Sequence, residues 1–441
     1  MGNCCPGGDK DEAFTDVRTA GQGGGGKGGA GQGGGGKGGA GQGGGGKGGK
    51  APAPKKPSGE EDYSNKNGVT EEQLAKIPAS SHTLNLSKNM MGEIPDGLER
   101  LLNLTHLDVS ENRLEELPAA ICQLVKLKTL DSNDNRLLTL PDAIGNLVAL
   151  KTLLLYKNAL ESLPESMAQL KSLTTLNCFN NKLTKLPAAF GKMVALQELN
   201  MADNKLKTIP NIDGLVRLKR LALFSTGLIS HIPNIDGLVR LKRLALFSNA
   251  LIRIPDIAAL PELEKLELYR NKLAEVPQLG AMPSLEEMML TNNMLPELPP
   301  NLPDFEKMET LEASRNLLTF LPANIIDCRT LTKVMMSANR LSSLPPGFEE
   351  LQLKTLDISD NEFTEVPGEL EHCGGLLNLM ISKNKVTVIS EWLLQGLPNL
   401  KRLAIDGNPL DWSQPINEEL QDQLIERFKG AGKFIPVKRP L

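Results

Sequence analysis

Residues 104–124 read LTHLDVSENRLEELPAAICQL and residues 173–193 read LTTLNCFNNKLTKLPAAFGKM, and both follow one pattern, L-x-x-L-x-L-x-x-N-x-L-x-x-L-P, with Val109 or Cys178 in the third apolar place. In L-x-L, alternation puts two apolar side chains on one face of a short strand and turns the residues between and after them to the other. The asparagine comes next. Its amide donates and accepts at once, so it can satisfy buried main-chain groups in a sharp inward turn, which a hydrophobic residue would leave unpaired. After the closing proline a short segment remains, such as 119–127, which is expected to be helical with the proline at its first position, where no donor is lost.

Outward from these stretches the pattern recurs every 22 to 24 residues. Asn89, Asn112, Asn135, Asn158, Asn181 and Asn204 mark it, Thr226 fills the next place, and Asn249, Asn271, Asn293, Asn316, Asn339, Asn361, Asn384 and Asn408 complete fifteen turns. Such a period describes a solenoid in which each turn rebuilds the core and touches only its neighbours, so both ends need caps. Residues 70–77 are expected to cover the first turn. Ile416, Leu420, Leu424 and Phe428 recur at a helical interval that would close the last. Two irregularities stand out. Residues 209–225 return unchanged at 232–248, either a recent copy of one turn or a mis-joined gene model, and an extra residue before Ile232 predicts a local bulge. Ser132 occupies a core leucine position and marks a weak turn.

The turns of 23 residues with L-P endings resemble the Ras-group intracellular leucine-rich-repeat proteins, over roughly residues 70–428. That resemblance implies an α/β leucine-rich-repeat solenoid, a curved horseshoe of about fifteen repeats with a parallel sheet on its concave face. It also implies a non-catalytic scaffold or regulator of signalling whose concave face binds a small GTPase, a phosphatase or another protein. A soluble adaptor of a cytoskeletal or ciliary assembly is the alternative.

The flanks differ in kind. We expect an N-terminal tip over 1–19, a linker over 20–68, the solenoid over 69–410, and a capping helix and tail over 411–441. Three identical decapeptides at 20–49 hold half of the 42 glycines and cannot bury enough apolar surface to offset ordering, so the linker should be a disordered tether. Its reach is roughly 35 to 40 Å by random-coil scaling. No acidic residue lies between Arg18 and Pro57, against seven Lys or Arg. The net charge of −4 carries no nucleic-acid footprint, and six scattered cysteines show neither zinc spacing nor a disulfide framework, so a reducing, cytoplasmic compartment is expected. No run of about 18 apolar residues occurs, and no signal peptide opens the chain. The glycosylation sequons at Asn85 and Asn103 then follow from the repeat alone.

Catalytic chemistry finds no foothold in these residues. Gly21 to Lys27 imitates a phosphate-binding loop, but Gly28 stands where Ser or Thr must hold magnesium, and no strand or helix flanks it. His82, His106, His231 and His372 are too far apart in the array to form a cluster, and His106 beside Asp108 reads as a solvated polar pair. No cofactor, metal, nucleic acid or small-molecule substrate is expected. Two candidate sites remain. The first is the N-terminus, where loss of Met1 would expose Gly2 for myristoylation beside Cys4 and Cys5 for palmitoylation, giving the two chains that stable anchoring to the cytoplasmic face of a membrane requires. Pro6 replaces the usual Ser or Thr of that signal. The second is the concave face. At the first position after L-x-L stand Tyr156, Phe179, Phe224, Phe247 and Tyr269, interrupted only by Ala202, and beside them Arg220, Arg243, Lys265 and Arg270. We expect an exposed aromatic column with a basic patch calling for an acidic partner, and Asp108, Glu111, Asp131 and Asp134 on flanking turns to set orientation.

Overall fold

Each L-x-L segment forms a three-residue strand, and the fifteen strands from Thr83–Asn85 to Arg402–Ala404 pair in parallel, each in register with the next. The computed structural model describes residues 59–411 except 229–231, 258–259, 277–278 and 303–304, together with 423, 427 and 434–435. Residues 1–58, with the tip expected to be acylated and most of the expected tether, the bulge expected before Ile232, His231, and Ile416, Leu420, Leu424 and Phe428 lie outside the described residues.

Register places leucine on leucine. Leu107, Leu130, Leu153 and Leu176 stack in one column and are at most 1% exposed. Burying one such side chain stabilises by about 1.5–3 kcal/mol, repeated in every turn. Opposite the sheet the chain makes single 3-10 turns, Ala119–Gln123, Asp142–Asn146 and Glu165–Gln169 among them. Helical turns pack at wider spacing than strands, so the stack bends toward the sheet, which lines the concave side. The helical content is lower than the sequence pattern suggested, because some five residues between proline and the next apolar anchor allow one tight turn. Pro118, Pro141 and Pro164 sit one place earlier than expected, as extended N-caps whose carbonyls accept the first bond, Pro118 O from Ile121 N at 3.0 Å.

The asparagines face inward. Asn112 Nδ2 donates to Leu86 O and Val109 O, and its Oδ1 accepts from Asn89 N and Met91 N, each at 3.0 Å, so one side chain joins two turns. The residue before each asparagine lies in the left-handed region, from φ 52° at Asp134 to φ 61° at Asn292 where it is not glycine and at φ 73° at Gly407. Only glycine adopts that geometry freely, so the ladder of asparagine bonds holds the turn against a steric cost. Thr226 is buried completely and does half the work, donating through Oγ1 to Leu223 O at 3.0 Å while its own N and Gly227 N converge on Asn249 Oδ1.

The first turn begins earlier than expected. Residues 59–68, assigned above to the linker, carry the strand Glu60–Asp62, and Tyr63 N donates to Asn85 O at 2.8 Å and Lys66 N to Asn89 Oδ1 at 2.6 Å. The helix Glu71–Ala75 then caps the core as expected, started by a capping box between Thr70 and Gln73 and burying Leu74 and, beyond it, Ile77. Ser132 is the weak position the pattern marked: it is fully buried and its Oγ has no hydrogen-bond partner among the described residues. Ser132→Ala should therefore raise stability by about 1 kcal/mol by removing an unpaired buried hydroxyl. An unchanged denaturation midpoint would show that the hydroxyl is satisfied in solution.

Candidate functional site

The aromatic residues are placed by the sheet itself. Each follows a strand, and the next main-chain amide latches to the aromatic carbonyl one turn on: Ser225 N to Phe247 O at 3.1 Å and Ser248 N to Tyr269 O at 2.9 Å. Rings at the strand interval of about 4.8 Å can hardly avoid stacking. Phe224 and Phe247 lie with centroids 4.3 Å apart and planes 8° apart, and Phe247 and Tyr269 repeat this at 4.3 Å and 9°. Phe179 and Phe224 are two turns apart, yet their centroids are separated by only 6.3 Å at 46°. Both rings lean over Ala202, which is fully buried. Ala202 is therefore no interruption. Its small side chain lets the column close above it.

Closure changes the exposure expected from the sequence. Phe224 is only 2% exposed, wedged between Phe179 and Phe247, and belongs to the core. Phe179, Phe247 and Tyr269 are half-buried, as is Tyr156 one turn before Phe179. The result is a continuous shelf with its faces stacked and its edges turned to the hollow. Burial, and then the charge of Glu267, push the Tyr269 phenol up to about 12 against the pull of Arg270 and Arg243.

The basic patch is also corrected. Arg243 meets Glu267 through two bonds, Nε to Oε2 at 2.7 Å and Nη2 to Oε1 at 3.2 Å. Arg220 pairs with Glu198 at 3.4 Å and Lys265 with Glu287 at 2.7 Å. Arg220, Arg243 and Lys265 thus carry their counter-charge within the sheet, and the floor beside the shelf alternates in sign. Arg270 is exposed at the rim. Glu198, Glu267 and Glu287 escaped sequence reading, although each stands 22 or 24 residues from its cation, which in a stacked array means directly adjacent. The acidic turns are engaged too: Asp108 accepts from Ser110 N at 2.9 Å, Asp131 from Asn133 N at 3.1 Å, and Glu111 pairs with Lys88 at 3.3 Å and Asp134 with Lys157 at 4.0 Å.

Other titratable groups are placed for structure. His106 Nδ1 lies 2.9 Å from Thr105 Oγ1, and partial desolvation together with the nearby Lys128 lowers its pKa. Cys122, Cys178, Cys328 and Cys373 are free and buried, and burial pushes the thiols up, to about 11 at Cys328 and Cys373. They pack as small apolar groups.

Comparison with known proteins agrees with this geometry. Family models match residues 133–229 (leucine-rich repeat region), 351–410 (leucine rich repeat) and 103–124 (leucine rich repeat). No curated protein matches the chain. Among solved structures, the leucine-rich-repeat protein LIC12759 of Leptospira interrogans is 30% identical, with a TM-score of 0.63 over 81% of this chain and 96% of that one. The plant peptide hormone receptor RGFR1 in complex with RGF2 is 27% identical, with a TM-score of 0.59 over 75% of this chain and 60% of the receptor chain. YopM from Yersinia enterocolitica is 27% identical, with a TM-score of 0.56 over 74% of this chain and 69% of that one. With its asparagines buried in register and nearly the whole of the Leptospira protein covered, this chain belongs to the leucine-rich repeat proteins.

Proposed function

We propose that the protein is an intracellular signalling scaffold or regulator that captures another protein in its hollow and is tethered to the cytoplasmic face of a membrane by acyl chains on Gly2, Cys4 and Cys5. The observation that carries the capture is the half-buried edge formed by Phe179, Phe247 and Tyr269, an aromatic anchor held rigid by stacking around the buried Phe224 and rimmed by arginine. A protein of similar fold takes a peptide ligand: RGFR1 is a plant peptide hormone receptor seen in complex with RGF2. Because the floor alternates in charge, the partner should carry both signs opposite Glu198–Arg220 and Arg243–Glu267, with an apolar segment for the rings. A small GTPase or a phosphatase fits the resemblance to Ras-group repeats.

Affinity capture tests this. Phe247→Ala combined with Tyr269→Ala should weaken partner binding by about 30-fold or more, as expected for a hot spot. The same pair should cost about 1–3 kcal/mol of stability, because both rings stack. Retained capture by a folded double variant would discard the shelf as the binding site. In cells, Gly2→Ala should release the protein from membranes, and a wild-type protein already wholly soluble would discard the tether.

A further inference from the structure

The residues entering each strand form one edge of the array, since all fifteen strands run parallel. Main-chain bonds fix this row from turn to turn: Lys128 N donates to Thr105 O at 2.7 Å, and Lys151 N to Lys128 O, Lys219 N to Gln197 O and Lys242 N to Lys219 O at 2.8 Å. Three side chains per turn project here, such as 125, 126 and 128, and between 102 and 242 none of them is Asp or Glu. The first of the three is aliphatic in six of seven turns. Leu102, Val125, Val148, Val194, Val216 and Val239 are each 45% to 57% exposed. The row is about 29 Å long at the strand interval.

Cations flank the aliphatic tips. Lys126, Lys128 and Lys151 serve the early turns, and the duplicated sequence supplies Arg217 and Lys219, then Arg240 and Lys242. Lys126 donates to the neutral Asn103 at 2.7 Å. Lys128, Lys151, Arg217, Lys219 and Arg240 make no ion pair among the described residues. At the next turn the same positions become acidic, with Glu262 and Glu264, and the Lys242–Glu264 pair at 2.5 Å marks the border.

We infer that this edge docks flat on an anionic phospholipid surface. The composition separates it from a protein interface, whose core is rich in aromatics and poor in lysine, whereas this edge has no aromatic and carries six lysines. Lysine suits a bilayer boundary, where the stem lies among apolar groups and the ammonium reaches phosphate. A rim of side chains with no acidic residue complements a negatively charged plane and needs no groove in its partner. Docked this way, the strands stand across the membrane plane and the aromatic shelf opens sideways, toward a partner already at the membrane. This orientation needs no acyl chain, so it can fail or hold independently of the tether and of the shelf.

The test uses the full chain made without acylation and sedimented with vesicles of phosphatidylcholine alone or with about 30% phosphatidylserine, at about 0.1 M salt. Binding is expected only with phosphatidylserine. Lys128→Gln, Lys151→Gln and Lys219→Gln together should weaken it by about 100-fold, near five-fold for each cation removed. Val216→Ser with Val239→Ser should weaken it further. Lys182→Gln, Lys185→Gln and Lys205→Gln, exposed beyond the strands, remove equal charge and should leave it unchanged. All these side chains are exposed, so the fold survives and circular dichroism verifies it. No binding to phosphatidylserine vesicles, or an equal loss in the second lysine set, overturns the inference. So does an edge set whose effect is on self-association or RNA binding instead.

Discussion

Replacing Asn339 by leucine is expected to destabilise the array by about 3–5 kcal/mol, although the two side chains have similar volume. Asn339 donates to Ala313 O at 3.0 Å and to Met336 O at 2.9 Å, and its Oδ1 accepts from Leu318 N at 3.1 Å. The carbonyls keep one bond each, because Asn316 also donates to Ala313 O and Asn361 to Met336 O. Leu318 N loses the acceptor that Asn339 supplied. A buried amide without a partner costs about 1–3 kcal/mol, and the lost bonds to the two carbonyls add the remainder.

That redundancy makes the loss local. In a solenoid each turn depends on its neighbours, so the first sign should be amide exchange at Leu318, with Asn293 and Asn384, two turns away on either side, unaffected. Asn158, half-buried where water can substitute, should cost less when replaced in the same way. Thr226 is the array's own partial version, one hydroxyl donor where an amide gives two. A loss below about 1 kcal/mol for Asn339→Leu, or exchange that rises throughout the chain at once, would show that leucine packing holds the turns and the asparagine ladder is secondary.

The repeat was legible because it is written in side chains that must be apolar or must be amide: every marked asparagine is buried or half-buried, and Ser132 is as ill-matched as its position said. The left-handed residue before each asparagine was not, since Lys, Glu, Asp, Ser, Arg and Ala all occupy it. Main-chain bonding imposes that geometry on whatever side chain stands there. The aromatic residues of the concave face fall in one column as expected, but Phe224 is buried where exposure was expected. Burial of Phe224 depends on Phe179 leaning across Ala202, a contact between turns 45 residues apart that no local pattern encodes. The ion pairs were encoded, one period apart, and were missed because charges were compared along the chain and not across it. The early start at 59–68 was hidden by its composition: Glu60–Asp62 is a polar edge strand that contributes main-chain bonds and little core.

Arg243→Leu is the second large effect, and it tests whether the floor of the hollow is held by charge. Glu267 is 4% exposed and faces Arg243 through two short bonds, so removing the guanidinium leaves a carboxylate in a dry site. Breaking such a pair from one side costs about 3–5 kcal/mol, and because Arg243 retains partial exposure the lower end, about 3 kcal/mol, is expected. Replacing both residues, Arg243→Leu with Glu267→Leu, should recover most of that loss, since well-packed apolar groups replace buried ions at little cost. Tyr269 supplies an independent reading. Its phenol is held up to about 12 first by burial and then by Glu267, with Arg243 opposing, so phenolate absorbance should appear at higher pH in Arg243→Leu and at lower pH once Glu267 is also gone. The folded state keeps that proton while the unfolded chain loses it near its ordinary value of 10, so this residue's contribution to stability falls as pH rises from about 10 toward 12. Equal stability losses in the single and double variants would mean that the arginine stem, packed along the shelf, matters more than its charge, and the hollow would then present its aromatic edge without an electrostatic frame.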